Sequence, residues 1–200
     1  IPIFKGGDKT KLGNYRPVSL TSIACKILER IIKHHIMTHL EGEELLLPSQ
    51  HGFRSGRSCL TNLLDFLEYV TGIVDKGKKV SVVYLDFCKA FDKVPHRRLL
   101  VSLQNHYIDG PLLNWVEKWL LGRKQRVILN GQHAEWMDVK SGVPQGTVLA
   151  PLFFIIFVNL IDSDLSCRLW KFADDIKLAK AIVSDEDRKS MQMDLDTLCS

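Results

Sequence analysis

The segment Val80–Phe87, VSVVYLDF, constrains the fold more than any other part of the chain. It is apolar and rich in β-branched and aromatic residues. That is the composition of a central strand buried on both faces. Yet it carries Asp86 at its end. A carboxylate there is costly unless it is paired, hydrogen-bonded or bound to metal. A matching feature lies far downstream. Asp174-Asp175 sits between two apolar stretches, Cys167–Phe172 and Ile176–Ala179, which read as the strands of a hairpin with Ala173-Asp174-Asp175 at its tip. Adjacent carboxylates repel and raise each other's pKa unless a cation sits between them. Several hard oxygen donors suit Mg²⁺. If the strand ending at Asp86 lies beside this hairpin, the acids converge as in a two-metal phosphoryl-transfer site, with ions about 3.5–4 Å apart. A solvated turn is the plain alternative for the Asp-Asp pair, and spacing alone does not decide between the two.

Around these segments the chain alternates helix and strand signals without a regular βαβ order, which points to an α+β fold. Ile1–Pro17 is punctuated by glycine and proline and reads as loop with short extended pieces. From Thr21, the residues Ile23, Ile27, Leu28, Ile31, Ile32, Ile36 and Leu40 recur at helical spacing, so a helix is expected to end near Gly42. A loop over Pro48–Arg57 leads into a second helix, Ser58–Asp75. Two more are expected at His96–Tyr107 and Pro111–Leu121. Arg126–Leu129 and Ala134–Val139 flank Asn130-Gly131, a strong hairpin signal. Ser141–Gly146 reads as a loop that brings backbone close to something large, or as a plain structural turn. Val148–Ile161 reads as a buried helix, and Ser184 with Asp187 as the capped start of a last one.

Composition narrows the class. Apolar residues make up 46% and charged residues 25% of the 200, an ordinary globular balance. Five cysteines without a C-x-x-C pair argue against a disulfide framework or zinc module and for a reducing, intracellular setting. The apolar run Val148–Ile161 is too short for a bilayer, which needs about 20 residues, so no membrane partner is expected. Net charge is +4 over residues 1–80, +3 over 81–150 and −3 over 151–200. A basic front and an acidic end suit a polyanion surface that also carries metal-binding acids.

Other clusters read more simply. His34, His35 and His39 share a predicted helix but lack a third ligand type in zinc spacing, so a solvated face is the reading. Trp115 and Trp119 fit core packing. Arg123-Lys124-Arg126 fits a phosphate backbone or a charged loop equally. Cys88 is assigned to packing.

In this order and spacing, the segments IPIFKGGD (1–8), NYRPVSL (14–20), QHGFRSGRS (50–58), YLDFCKAFDKVP (84–95), SGVPQGTVLAP (141–151) and FADD (172–175) resemble a reverse transcriptase of a non-LTR, LINE-type retrotransposon of the Jockey and chicken-repeat range. Leu160, Phe153 and Ile176 depart from common family residues, but no catalytic acid is lost. The resemblance implies a right-hand polymerase with fingers over residues 1–79, and over 80–200 a palm whose antiparallel sheet is backed by helices and which carries part of the fingers. The thumb is expected to be absent, and an endonuclease to lie elsewhere in a parent polyprotein, so that the fragment alone is expected to be inactive.

The resemblance also implies roles. Asp86 with the carbonyl of Phe87, together with Asp174 and Asp175, would hold two Mg²⁺ ions, with Mn²⁺ as a substitute. Phe91 resembles the steric gate under the nucleotide sugar. Gln145 and Gly146 resemble the loop that touches nucleotide and template. Arg16 resembles a residue that grips the triphosphate, and Arg54 a second, for which a buried, structural role is equally open. The implied partners are an RNA template, a DNA primer and dNTP, with the nucleus as the place of target-primed integration and the cytoplasm for assembly with RNA. An RNA-directed RNA polymerase would usually carry Asp at the gate, where this chain has Phe91. A catalytically silent nucleic-acid-binding remnant is the remaining alternative.

Overall fold

The structure is a computed structural model and describes every residue except Asn130 and Ser200. In chain order the strands and helices are β1 (Pro2–Phe4), β2 (Tyr15–Pro17), α1 (Ile23–Gly42), α2 (Cys59–Val74), β3 (Lys79–Asp86), α3 (Ala90–Lys93), α4 (His96–Asn105) and α5 (Gly110–Leu120). There follow β4 (Lys124–Gln125), β5 (Ile128–Leu129), β6 (Gln132–His133), β7 (Met137–Asp138), α6 (Ala150–Phe157), β8 (Arg168–Phe172), β9 (Asp175–Ile182) and α7 (Asp185–Cys199). The chain divides into two compact units, each drawn from two stretches: Ile1–Leu45 with Lys89–Phe157, and Leu46–Cys88 with Val158–Ser200. The line is discontinuous because β3 pairs with β9, far along the chain.

In the first unit, α1 starts where Ser22 accepts the Cys25 amide hydrogen, a side-chain cap that satisfies one free helix-end donor. Its core is carried by α4, α5 and α6 through Leu99, Leu103, Val116, Leu120, Leu152 and Phe153, all buried. Trp119 meets Phe153 edge-to-face at 5.6 Å and stacks on Trp115, so both tryptophans serve packing. The expected hairpin is present but broken into two short ladders, β4 with β7 and β5 with β6. β6 begins at Gln132, earlier than Ala134; Asn130, half of the turn signal, lies outside the described residues.

The second unit is a three-stranded antiparallel sheet in the order β3-β9-β8. Successive strand residues face opposite sides. Val80 and Val82 pack with Phe66, Trp170 and Ala179 under α2, while Val83 and Leu85 pack with Cys167, Leu169, Leu178 and Met191 under α7. Helices thus cover both faces, but β3 is an edge strand and not the expected central one. Composition reports how many faces are covered and not how many edges are paired; the centre belongs to β9. A capping box of Ser58 and Thr61 starts α2, and Asp187 accepts from the Val183 and Ser184 amides at the start of α7.

The expected helix Val148–Ile161 is shorter, ending at Phe157 and followed by a 3-10 turn over Asn159–Asp162. A buried lysine binds this turn. Lys171 donates from Nζ to the carbonyls of Val158 and Asn159 and pairs with Asp162 at 2.6 Å. The Val158 carbonyl also accepts the Ile161 amide hydrogen at 3.4 Å, the bond of the 3-10 turn, so the lysine adds to that turn. No helix among the described residues is long and apolar enough to cross a membrane.

Candidate active site

The antiparallel register of β3 with β9 runs unbroken from Lys79 opposite Ile182 to Asp86 opposite Asp175. Directly opposed residues share a face, with Cβ atoms about 4.5–5.5 Å apart. The strand-end acid therefore meets the acid that opens β9, and both are exposed. Asp174 occupies the second position of the two-residue turn between β8 and β9, half-buried, with Ala173 before it at φ +57°. The sequence places the tip on three residues; the structure makes Asp175 the first strand residue, so Asp86 faces Asp175 while Asp174 projects from the turn.

The hairpin rests on the segment Ser49–Gly52. Lys171 donates its amide hydrogen to Ser49 O and accepts from the His51 amide, each at 2.8 Å, which lays Gln50 beside β8 in parallel. Gln50 Oε1 accepts from the amides of Gly52 (2.8 Å) and Ala173 (3.1 Å). A Cβ on Gly52 would collide with Ala173 N, so only glycine allows this approach. The His51 ring bonds to Thr61 Oγ1 through Nδ1; burial, and then the nearby Arg57 charge, push its pKa below the usual value. Burial likewise lowers the Lys171 pKa, a shift that Asp162 partly offsets.

Arg54 belongs to the same segment. Its Nη1 donates to the carbonyls of Leu46, Leu47 and Gln50, so it braces the loop.

The first unit carries the other residues implied for nucleotide binding: Arg16, Phe91, Gln145 and Gly146. The Ser141–Gly146 loop lies against the segment that carries Phe91: Gly142 N–H donates to Val94 O and Val143 N–H to Phe91 O, each at 2.8 Å. Gly142 has φ +88°, and a Cβ there would stand 2.6 Å from Asp92 O. The Gly142 carbonyl accepts from Arg123 at 2.7 Å and contacts His96 Nε2 at 2.9 Å. Gln145 donates from Nε2 to Asp92 Oδ1 at 3.3 Å, and its carbonyl accepts from Ser19 N–H. A Cβ on Gly146 would meet Ser19 O at 2.7 Å. Arg16 lies three residues before Ser19, exposed on β2. Phe91 is half-buried, with its ring stacked on Phe154 at 4.6 Å and 17°. Glu29, fully buried on α1, accepts the Val148 amide hydrogen at 2.6 Å just beyond this loop.

Sequence reasoning assigned no role to Gln50, Gly52, Lys171 or Glu29. The signal for Glu29 was present: a carboxylate inside the apolar pattern of α1. Gln50 and Gly52 belong to the 50–58 motif, in which Arg54 alone resembles a functional residue. The other clusters make contacts within the chain. His39 bonds to the carbonyl of His106, Arg126 lies over Trp136, Lys124 reaches Asp138, and Cys88 is exposed where packing was expected.

Three carboxylates and a strand-end carbonyl are hard oxygen donors, and two opposed acids invite a cation, so the chemistry of the set fits Mg²⁺. Among the described residues no three His, Cys, Asp or Glu side chains close on one another as a ready metal cage. A Mg²⁺ site of the kind that borrows ligands from water and substrate phosphate does not require one.

A family profile described as reverse transcriptase (RNA-dependent DNA polymerase) matches residues 5–198. The chain is 28% identical over 176 residues to a probable RNA-directed DNA polymerase from transposon X-element of Drosophila melanogaster, covering 86% of this chain and 19% of that protein. It is 30% identical over 158 residues to the RNA-directed DNA polymerase from mobile element jockey of Drosophila funebris, covering 78% and 17%. The chain thus spans about a fifth of the length of these curated relatives. Among solved structures, apo telomerase from Candida tropicalis superposes with a TM-score of 0.64 at 12% identity, over 88% of this chain and 34% of that one. That likeness shows the right-hand polymerase fold. With the profile spanning nearly every residue and the opposed acids in the sheet, the chain belongs to the reverse transcriptase family.

Proposed function

We propose that the chain carries the nucleotidyl-transfer centre of an RNA-directed DNA polymerase of a non-LTR retrotransposon. The observation that carries this reading is the register that sets Asp86 opposite Asp175, with Asp174 on the adjoining turn. In the proposed reaction a primer 3′-hydroxyl gives up its proton and its oxygen bonds to the α-phosphorus of a dNTP. The bond from that phosphorus to the pyrophosphate breaks in line. Asp86, Asp174, Asp175 and the Phe87 carbonyl would hold two Mg²⁺ or Mn²⁺ ions, which when bound supply charge neutralisation at the attacking and leaving oxygens.

The remaining residues bind and select. Phe91, fixed by its stack on Phe154, fills the space a 2′-hydroxyl would need. Gln145 and Gly146 present amide and backbone to nucleotide and template. Arg16, exposed on β2, meets the triphosphate, whereas Arg54 keeps its loop in shape. The partners are an RNA template, a DNA primer and dNTP. Thumb and endonuclease functions belong to other parts of a parent polyprotein, which would act in the nucleus at integration and in the cytoplasm when assembling with its RNA.

The test is primer extension on an RNA template by the chain joined to its downstream region, with dNTPs and Mg²⁺. Template-directed extension that Asp174→Asn abolishes is expected. Binding of the primed template without any extension would leave the silent-remnant reading in its place.

A further inference from the structure

We propose that Gln50 is a positioning residue for the catalytic hairpin, acting through the amide of Ala173 to set where Asp174 stands. The proposal rests on the reading of Asp174 as a catalytic acid. Gln50 is completely buried. Its Oε1 takes two amide hydrogens, one from its own loop at Gly52 and one from Ala173, the residue just before Asp174. Its Nε2, equally buried, has no hydrogen-bond partner.

A core amide with one end unsatisfied is a poor source of net stability, because the desolvated donor offsets what the acceptor gains. The group instead holds a backbone in place. The orientation of the amide is also fixed: turned over, Nε2 would face two N–H donors and nothing would accept them.

The backbone it holds needs holding. Ala173 has φ +57°, a region that residues with a Cβ enter only when their surroundings impose it. The turn is also reached from below by Gly52, whose missing Cβ lets the loop touch Ala173 N. Gln50 and Gly52 thus act as a seat: one pulls on the Ala173 amide and the other permits the contact. Small displacements of such a turn move the Asp174 carboxylate directly, and misplacing a reacting group by about 1 Å costs on the order of a hundredfold in rate.

The test has two arms. In the 200-residue chain, amide hydrogen exchange is read by NMR at Ala173 and Gly52. Gln50→Met, which keeps volume but removes the acceptor, is expected to raise exchange at both amides about tenfold or more. Gln50→Glu, which keeps an acceptor oxygen, should restore protection at Ala173. In the chain joined to its downstream region, single-nucleotide addition is measured under the same substitutions. Gln50→Met and Gly52→Ala should lower kcat about a hundredfold, with the KM for dNTP little changed.

Phe66→Leu, a core substitution under the sheet, serves as the stability control and should lower the melting temperature without a comparable fall in kcat. The proposal is overturned if Ala173 exchange is unchanged in Gln50→Met. It is also overturned if the kcat loss merely follows melting temperature as in Phe66→Leu. If the unsubstituted polypeptide adds no nucleotide, the functional reading fails, and the exchange arm still decides whether Gln50 holds the turn.

Discussion

Asp175→Asn should make the protein more stable while removing its proposed activity. The register places Asp86 and Asp175 directly opposite each other, both exposed, with Asp174 next in the chain. At a charge separation of about 5 Å, repulsion is about 0.8 kcal/mol at the dielectric of water and about 3 kcal/mol at an effective value near 20. Exposure places the pair near the lower figure, in agreement with the cost of like charges opposed across strands. Neutralising one acid should therefore raise stability by about 1 kcal/mol, or the melting temperature by about 2–4 °C for a chain of this size. The assay is thermal unfolding by circular dichroism with EDTA present, at about 0.01 M and about 1 M salt, where the screening length falls from about 30 to 3 Å. The difference between variants should shrink at high salt, and Mg²⁺ should raise the unsubstituted protein toward the variant. A lower melting temperature for Asp175→Asn, or a shift independent of salt, would refute the argument.

Three further outcomes are expected. Lys171→Met should destabilise by about 3–5 kcal/mol in denaturant unfolding, because it strands the largely buried Asp162 carboxylate; a loss below about 1 kcal/mol would show that the ion pair contributes little. Burial, with Asp194 beside it, pushes the Cys167 thiol from 9.0 up to about 12. The folded state holds a proton that the unfolded chain releases, so this group's stabilisation is complete below pH 9.0 and is lost as pH rises toward about 12. Cys167→Ala should flatten that part of the alkaline stability profile, and identical profiles would contradict the assignment. Phe91→Ala should raise incorporation of rNTP relative to dNTP in primer extension; an unchanged ratio would place the gate elsewhere.

Much of this architecture is legible in the sequence. The helices α1 and α2 announce themselves through apolar spacing, a local signal. The sequence marks Asp86 and Asp174-Asp175 as candidate partners, but that they meet is set by the register of β3 on β9. What escaped was set by tertiary partners. The edge position of β3 depends on where β9 pairs, which composition does not encode. The helix expected through Ile161 stops at Phe157 and gives way to a 3-10 turn bound by the buried Lys171, which lies beyond it in sequence and which the apolar pattern does not register. Gln50 and Gly52 carry no periodic or charge signal. Their role exists only once the loop lies against Ala173.

The central claim is that Asp86, Asp174 and Asp175 act together on divalent metal, and Mn²⁺ titration of the 200-residue chain followed by electron paramagnetic resonance tests it most directly. Weak binding is predicted, since sites of this kind draw ligands from substrate phosphates, and it should be lost in Asp86→Asn and again in Asp174→Asn. Mn²⁺ binding that is equal in both variants and the unsubstituted chain would contradict the account.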